Sequence, residues 1–565
     1  METYRTALIF LLVALSTVLY TKWLDYSAQD TALNSGVNTE VTLSELPGVA
    51  GSLPAVPIEA PNASADSLPA INEELETGSV AIDEAPDSQG QLVRVETDLL
   101  IAYINTVGGT LERVETKLLP VAIDQQDQGY AVLRKSPEET FIIQDGLLLR
   151  GGAESPNHLS TYAATSESYT LGSDDSVEVP LTWTSESGAV VTKTLRFRRD
   201  SYLVGINYEV NNISTQPWVS YLYSQFNRSA PVGKSGGFGQ IPSYTGGAIY
   251  TEEEKYEKIT FDDIDEANLD RQEVGGWVSM MEHYFVAVFI PEVPNNKFYS
   301  SKSGDRFILG LRANDALQVA PNSIGSVGTT VFLGPKEQAR LKDIEEEKGI
   351  EGLPLTVDFG MLTVIADPLF WLLDKIHAVV GNWGWSIILL TLLIKIFFYP
   401  LSAASYKSMA GMKKLQPRIA TLKERYKDDR QKFQMEMMAL YKKEKINPAG
   451  GCLPILIQIP VFIALYWTLL ESVEIRQAPF ALWLNDLSAP DPFYVLPILM
   501  GVSMWAQQKL NPAPMDDIQK KVMMIMPFAL TLLFLTFPAG LVLYWVVNNV
   551  LSMAQQWYIN QKHAK

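Results

Sequence analysis

The sequence predicts an α+β multidomain membrane protein, with a β-sandwich outside the membrane joined to a polytopic α-helical core within it. Three observations lead there. Charge is divided unevenly: residues 25–360 hold 23 Lys and Arg against 50 Asp and Glu, a net of −27. The remaining residues hold 22 against 14, a net of +8, which brings the chain to −19. Apolar runs near the length of about 20 residues that a bilayer requires gather in the last third of the chain. Between 92 and 335 the texture is instead one of short, partly alternating runs punctuated by Gly, Asn and Pro. A chain of 565 residues also exceeds one ordinary core, so several folding units are expected.

The order of elements follows from the same signals. Residues 1–24 carry the first apolar run. Its n-region is weak, with Arg5 against Glu2, and no small-x-small site follows it. An uncleaved anchor is favoured over a cleaved signal peptide. Residues 25–91 contain no Lys or Arg and are rich in Pro, Ser, Ala, Glu and Asp, as in SLPAVPIEAPNASADSLPA. Such a stretch buries too little apolar surface to order itself and reads as a tether. Residues 92–335 form the β-sandwich, with strands such as LIAYINTVGG, YLVGINYEV and HYFVAVFIP. Residues 336–358 form a charged, helical connection. Residues 359–381 place Leu362, Ile365, Leu369, Leu372, Leu373 and Ile376 at helical spacing, carry charges, and are interrupted by Pro368. They predict an amphipathic helix lying in the membrane interface.

Spans are expected at 383–401, 452–470, 493–510, 522–537 and 540–558, the last two separated by the turn signal Phe537-Pro538-Ala539-Gly540. With the anchor that makes six. The loop at 402–447 carries 12 Lys and Arg against 5 Asp and Glu, the short loop at 511–521 has Lys520 and Lys521, and the tail at 559–565 has Lys562 and Lys565. The loop at 471–492 has only Arg476 against Glu471, Glu474, Asp486 and Asp491. Lys/Arg bias therefore puts both termini and every basic loop on the cytoplasmic side, and the acidic domain outside.

Within 402–447, Met412, Leu415, Ile419, Leu422 and Tyr426 recur at steps of three and four, as do Phe433, Met437 and Leu440 after Asp428-Asp429. Two short antiparallel helices with an apolar seam are predicted. Their outer faces carry Lys413, Lys414, Arg418, Lys423 and Arg425. These charges suit phosphate headgroups of the bilayer, or a docking surface for a ribosome or a nascent chain. Met409, Met412, Met435, Met437 and Met438 would give compliant apolar contact, or simply fill helix.

Ionisable groups inside a span are costly and are functional candidates by default. Lys395 is the embedded one, roughly 7–8 Å of helix before Pro400, with Thr391 on the same face. Its ammonium either snorkels to the headgroups or serves a shared polar cavity. Gln458 on the third span favours the cavity, as do Ser503 and Gln507 on the fourth. So do Tyr544, Asn548 and Ser552 at i, i+4 on the last, with Asn549 beside them. Lying toward the cytoplasmic half, such a cavity could receive the polar or acidic part of a substrate before it crosses. Cys452 is the sole cysteine, so no intrachain disulfide or Cys-rich metal site forms, and four scattered histidines argue against a metal enzyme. No carboxylate pair or Ser/His/Asp grouping stands out, and Gly236-Gly237-Phe238-Gly239 lacks the strand-to-helix context of a phosphate loop. No enzyme activity, cofactor or metal is expected.

GNWGWSIILLTLLIKIFFYPL, NPAGGCLPILIQIPVFIALYW, QAPFALWLNDLSAPDPFYVLPILMG and FPAGLVLYWVVNN fall in that order between 359 and 560. They resemble the YidC/Oxa/Alb family, in the long form of Gram-negative bacteria, and GGWVSMMEHYFVAVFIP at 275–291 extends the resemblance outward. The resemblance implies an insertase and chaperone of the bacterial inner membrane, with a periplasmic β-supersandwich shaped like galactose mutarotases. Five of the six spans would form its insertase core. It further implies a hydrophilic groove open to cytoplasm and lipid, holding one cation. That position is usually Arg and here is Lys395, which keeps the charge and loses the bidentate grip. It assigns substrate contacts to Tyr544, Trp545 and Gln458. The implied partners are nascent membrane proteins, the Sec translocon with its accessory subunits, and the bilayer. The rival classes are a secondary transporter, for which no inverted repeat is visible, a Sec-bound scaffold or folding chaperone, and a cell-wall enzyme, for which no acid/base pair presents itself.

Overall fold

A computed structural model of the chain describes residues 90–149, 154–186, 188–230, 243–427, 429–444, 453–510 and 517–564. The expected anchor at 1–24, most of the tether, the Gly236–Gly239 loop and Cys452 lie outside these. The described residues fall into two compact units that divide between Val357 and Asp358.

The first unit is β. Among its described residues, alternating burial along strands such as Leu203–Asn212 gives each strand one face for a core. Twenty strands assemble into an eleven-stranded and a nine-stranded sheet. Pairing is antiparallel throughout except where Leu92–Glu96 runs parallel to Ser168–Thr170. In the larger sheet Trp218–Ser229 lies between Thr140–Leu149 and Arg306–Ala313. In the smaller, Leu203–Asn212 lies between Val190–Arg198 and Ser323–Pro335. The two sheets meet through Phe226 against Phe289 at 4.5 Å between ring centroids and Tyr130 stacked on Phe285 at 4.0 Å. The sandwich expected from alternation is thus present. Two helices accompany it: α1 (Phe261–Glu266), opened by a capping box from Thr260 and Asp263, and α2 (Gln338–Lys348), closed by Gly349 at φ 63°.

Two sets of buried charge cross between the sheets. Lys193, wholly buried, meets Asp145 at 2.8 Å and donates to the carbonyls of Gly108 and Gly109 at 3.2 and 2.8 Å. The Tyr208 hydroxyl donates to the same carboxylate at 2.5 Å. Glu282 receives Arg228 at 2.5 Å, Arg134 at 2.6 Å and the Tyr130 hydroxyl at 2.6 Å. Burial alone would raise the Glu282 pKa, but Arg228 and Arg134 hold it below the ordinary glutamate value. Each charge is compensated where it is buried, as charges out of water must be.

The second unit is helical. Its helices are α3 (Thr363–Val380), α4 (Trp383–Phe397), α5 (Tyr399–Arg425), α6 (Arg430–Lys443), α7 (Leu453–Glu471), α8 (Val495–Leu510), α9 (Asp517–Phe534) and α10 (Ala539–Ala564). Pro368, expected to interrupt α3, lies inside it. It is the helix's sixth residue, just past the first turn, so it forfeits the backbone hydrogen bond to the carbonyl of Val364 while the helix continues on either side. Ala366, Phe370 and Leu373 form the buried face of α3, while Val364, Trp371 and Val379 are exposed. The span expected at 383–401 is not one straight helix. It breaks at Phe398, and α5 departs at 67°. Pro400 explains the break, because it has no N–H to carry the ladder of α4 onward and fits the first turn of α5. Among the described residues no single helix is long and apolar enough to cross a membrane, and the bent pair α4–α5 passes that test together.

One end of this unit is tightly packed. Trp383, Ile387, Leu465, Leu469, Leu496, Met500, Phe534 and Val542 share an apolar cluster with Ile475, Leu484 and Leu487 of the loop between α7 and α8. That loop is fastened by specific bonds. Asp491 accepts from Trp483 Nε1, Phe493 N and Leu496 N at 2.7–3.0 Å. Asn382 caps α4 by accepting from Trp385 N and donates to the carbonyls of Pro479 and Phe480. The amides of Ala539 and Gly540 donate to the carbonyls of Ala489 and Leu487, each at 2.8 Å.

Candidate functional site

Polar side chains collect at the opposite end of the helical unit, among the last turns of α4 and α8, the first turns of α7 and the middle of α10. Lys395 is half-buried and its Nζ donates to Ser552 Oγ at 2.8 Å. Ser552 Oγ in turn donates to the carbonyl of Asn548 at 2.6 Å. The Asn548 side-chain oxygen accepts from Gln458 Nε2 at 2.5 Å, and Asn549 Nδ2 donates to Ser503 Oγ at 3.0 Å. Residues from α4, α7 and α8 are therefore each hydrogen-bonded to α10 within two of its turns. Among the described residues no carboxylate pairs with Lys395, so the cluster carries one positive charge.

The remaining predicted residues are placed less uniformly. The Thr391 hydroxyl is buried and turned back on its own helix, donating to the carbonyl of Ile387 at 2.6 Å. Gln507 is half-buried on α8. Tyr544 is 1% exposed within the apolar cluster, and Trp545 lies edge-on to Phe462 at 4.3 Å and to Phe534 at 5.2 Å. Both aromatics thus belong to the packed half, with the Tyr544 side chain on its border against Gln458 of the polar set.

In α5 and α6, Leu415, Ile419 and Tyr441 are buried together, with Met412, Phe433, Met437 and Leu440 against them. Lys413, Lys414, Lys423 and Arg425 are exposed, as is Arg418, which pairs with Glu444 at 2.7 Å. Met435 and Met438 are exposed on the outer side of α6.

Two family profiles match the chain: the YidC periplasmic domain over residues 92–372 and the 60Kd inner membrane protein over residues 375–565. The membrane protein insertase YidC of Nitrosococcus oceani is 47% identical over 485 residues, 85% of this chain and 87% of that protein. The chain belongs to the YidC membrane protein insertase family. Among solved structures, an active YidC insertase with its first transmembrane domain resolved aligns with a TM-score of 0.38 at 20% identity. That alignment covers 83% of this chain and 94% of the other. The galactose mutarotase related enzyme of Lactobacillus acidophilus aligns at TM-score 0.30 and 11% identity, over 43% of this chain and 97% of that one.

For this YidC-family chain, two residues at the polar end carry more than their sequence context suggested. Ser552 is the direct partner of Lys395. Gln556, 2% exposed, extends the same row and donates to the carbonyl of Leu510 at 3.4 Å. A signal existed, since Tyr544, Asn548, Ser552 and Gln556 follow one another at steps of four along one face of α10.

Proposed function

We propose that this chain inserts and helps to fold membrane proteins by receiving their polar outer segments in a groove lined by the Lys395 cluster. The observation that carries the reading is the half-buried Lys395 ammonium, which meets a hydroxyl but, among the described residues, no carboxylate. An uncompensated cation at that depth attracts acidic segments that would otherwise enter lipid at high cost. The polar side chains around it replace part of the water such a segment gives up. The substrate's apolar segment then passes into the bilayer by its own partitioning, with no bond chemistry and no nucleotide. The charge bias of the loops supports six spans, both termini in the cytoplasm and the acidic sandwich in the periplasm. On that topology the basic hairpin of α5 and α6 faces the cytoplasm, where a ribosome or nascent chain would approach. The Sec translocon and its accessory subunits are further partners expected on this reading.

Purified protein in liposomes, given a small single- or double-spanning substrate with an acidic outer tail, tests this directly. Protease protection of the tail is expected with wild type and is lost in Lys395→Glu, while Lys395→Arg retains it. Normal insertion by Lys395→Glu would remove the charged groove from the account. Failure of well-folded wild type on several substrates would favour a Sec-dependent chaperone.

A further inference from the structure

We infer that Ser552 is a positioning residue, holding the Lys395 ammonium at the depth of the groove and preventing it from snorkelling to the headgroups; this rests on the groove reading above. Lys395 lies close to the end of α4, and its four-carbon stem is long enough to carry the charge out to the interface. Instead Nζ turns to α10 and donates to Ser552 Oγ at 2.8 Å. The ammonium can only donate, and Ser552 is free to accept because it spends its only proton on the carbonyl of Asn548 at 2.6 Å. The Tyr406 side chain of α5 also lies against this hydroxyl. Ser552 is itself 3% exposed, held in the body of α10, and cannot follow the lysine outward. Asn548, the residue that takes the serine proton, is pinned through its side chain by Gln458 of α7 at 2.5 Å. The chain of donors therefore runs from Lys395 through Ser552 to a backbone carbonyl, with a third helix steadying the end of it.

A lysine ammonium has three donors. One is engaged by Ser552 and, among the described residues, two are left for a carboxylate arriving in the groove. A hydroxyl suits this role because it fixes the position of the charge without cancelling it. An aspartate at the same place would neutralise the cation, and an alanine would release it toward the interface.

The test compares Ser552→Thr with Ser552→Val, which are nearly isosteric and differ by the hydroxyl, in the liposome assay with the full-length protein. Two substrates are used, one with an acidic outer tail and one whose tail carries Asn and Gln in place of the acids. Ser552→Thr is expected to insert both like wild type. Ser552→Val is expected to lose about tenfold on the acidic tail, the scale of one hydrogen bond to a charged group, and little on the neutral one. Equal insertion of the acidic tail by the Thr and Val variants overturns the assignment, as does an equal loss by Val on both tails. Lys395→Gln, run alongside, separates the two layers. If it inserts both tails normally, the groove reading fails. If it discriminates between the tails while Ser552→Val does not, the positioning role alone fails.

Discussion

Lys193 in the sandwich and Lys395 in the helical unit are the same side chain put to opposite uses. Lys193 is wholly buried and fully answered, with Asp145 at 2.8 Å, two carbonyls, and a tyrosine sharing the carboxylate. Lys395 is half-buried and touches a single hydroxyl among the described residues. A buried cation with its counter-ion in place is structure, because nothing further can be gained by binding it. A cation held by a neutral acceptor keeps its field and has something left to do. The sandwich answers these buried charges within its own core, whereas Lys395 meets no carboxylate among the described residues of the helical unit.

The sharpest way to break this contrast is to remove the answer to Lys193. Asp145→Ala leaves a buried ammonium without its carboxylate and is expected to cost about 3–5 kcal/mol. The loss should appear as faster amide hydrogen exchange along Thr140–Leu149 in the full-length protein. Asp145→Leu combined with Lys193→Met should recover most of it, since a well-packed apolar pair replaces a buried ion pair at little net cost. If the single and double variants exchange alike, the pair is not what holds the sheets together there.

Glu282 gives a second, somewhat smaller effect with a definite pH dependence. Its folded-state pKa is depressed, so the stability it supplies is present above the ordinary glutamate pKa and is lost as pH falls through the depressed value. Protection of Trp277–Met281 should decline over that acidic window in wild type. Glu282→Gln should begin lower, because Arg228 and Arg134 lose their carboxylate, and should lack that part of the decline. A Glu282→Gln profile parallel to wild type would place the titrating group elsewhere.

The smallest effect is the most telling. Lys395→Met removes one hydrogen bond to a hydroxyl and no ion pair seen in the structure. The stability of the helical unit should therefore fall by no more than about 1.5 kcal/mol, the low end for a hydrogen bond to a charged group, while insertion of acidic-tailed substrates falls steeply. Destabilisation on the scale of Asp145→Ala would show that Lys395 is a structural charge after all.

What was legible in the sequence follows the range of the interactions. Alternation is a local signal, and it exposed the sandwich. Steps of three and four mark Met412, Leu415, Ile419, Phe433, Met437 and Leu440, which pack together, and also Leu422 and Tyr426, which are not part of that cluster; they miss Tyr441, which completes it one position after Leu440. The polar residues of the site were visible as costly exceptions in apolar runs. Their partners were not, because Lys395 and Ser552 stand 157 positions apart and nothing local joins them. Burial of Lys193 was equally hidden: in VVTKTLRFR it reads as one more polar position on a strand, and only the second sheet closes over it. The break at Phe398 is hidden for a different reason. Pro400 ends the apolar run of a span, and it also starts a new helix in another direction.

The seam between the loop after α7 and the start of α10 has a consequence for how such a chain drifts over generations. Ala539 and Gly540 are tied to Ala489 and Leu487 through main-chain groups on both sides. Main-chain bonds are indifferent to the side chains that hang beside them, so the seam itself tolerates exchange at Ala489 and Ala539, while Asp491 and the buried Ile475, Leu484 and Leu487 hold the rest of the loop through their side chains. Gly540 is less free, since a Cβ there would come within 3.1 Å of the Leu487 carbonyl oxygen. Variation should therefore pool at the two alanines.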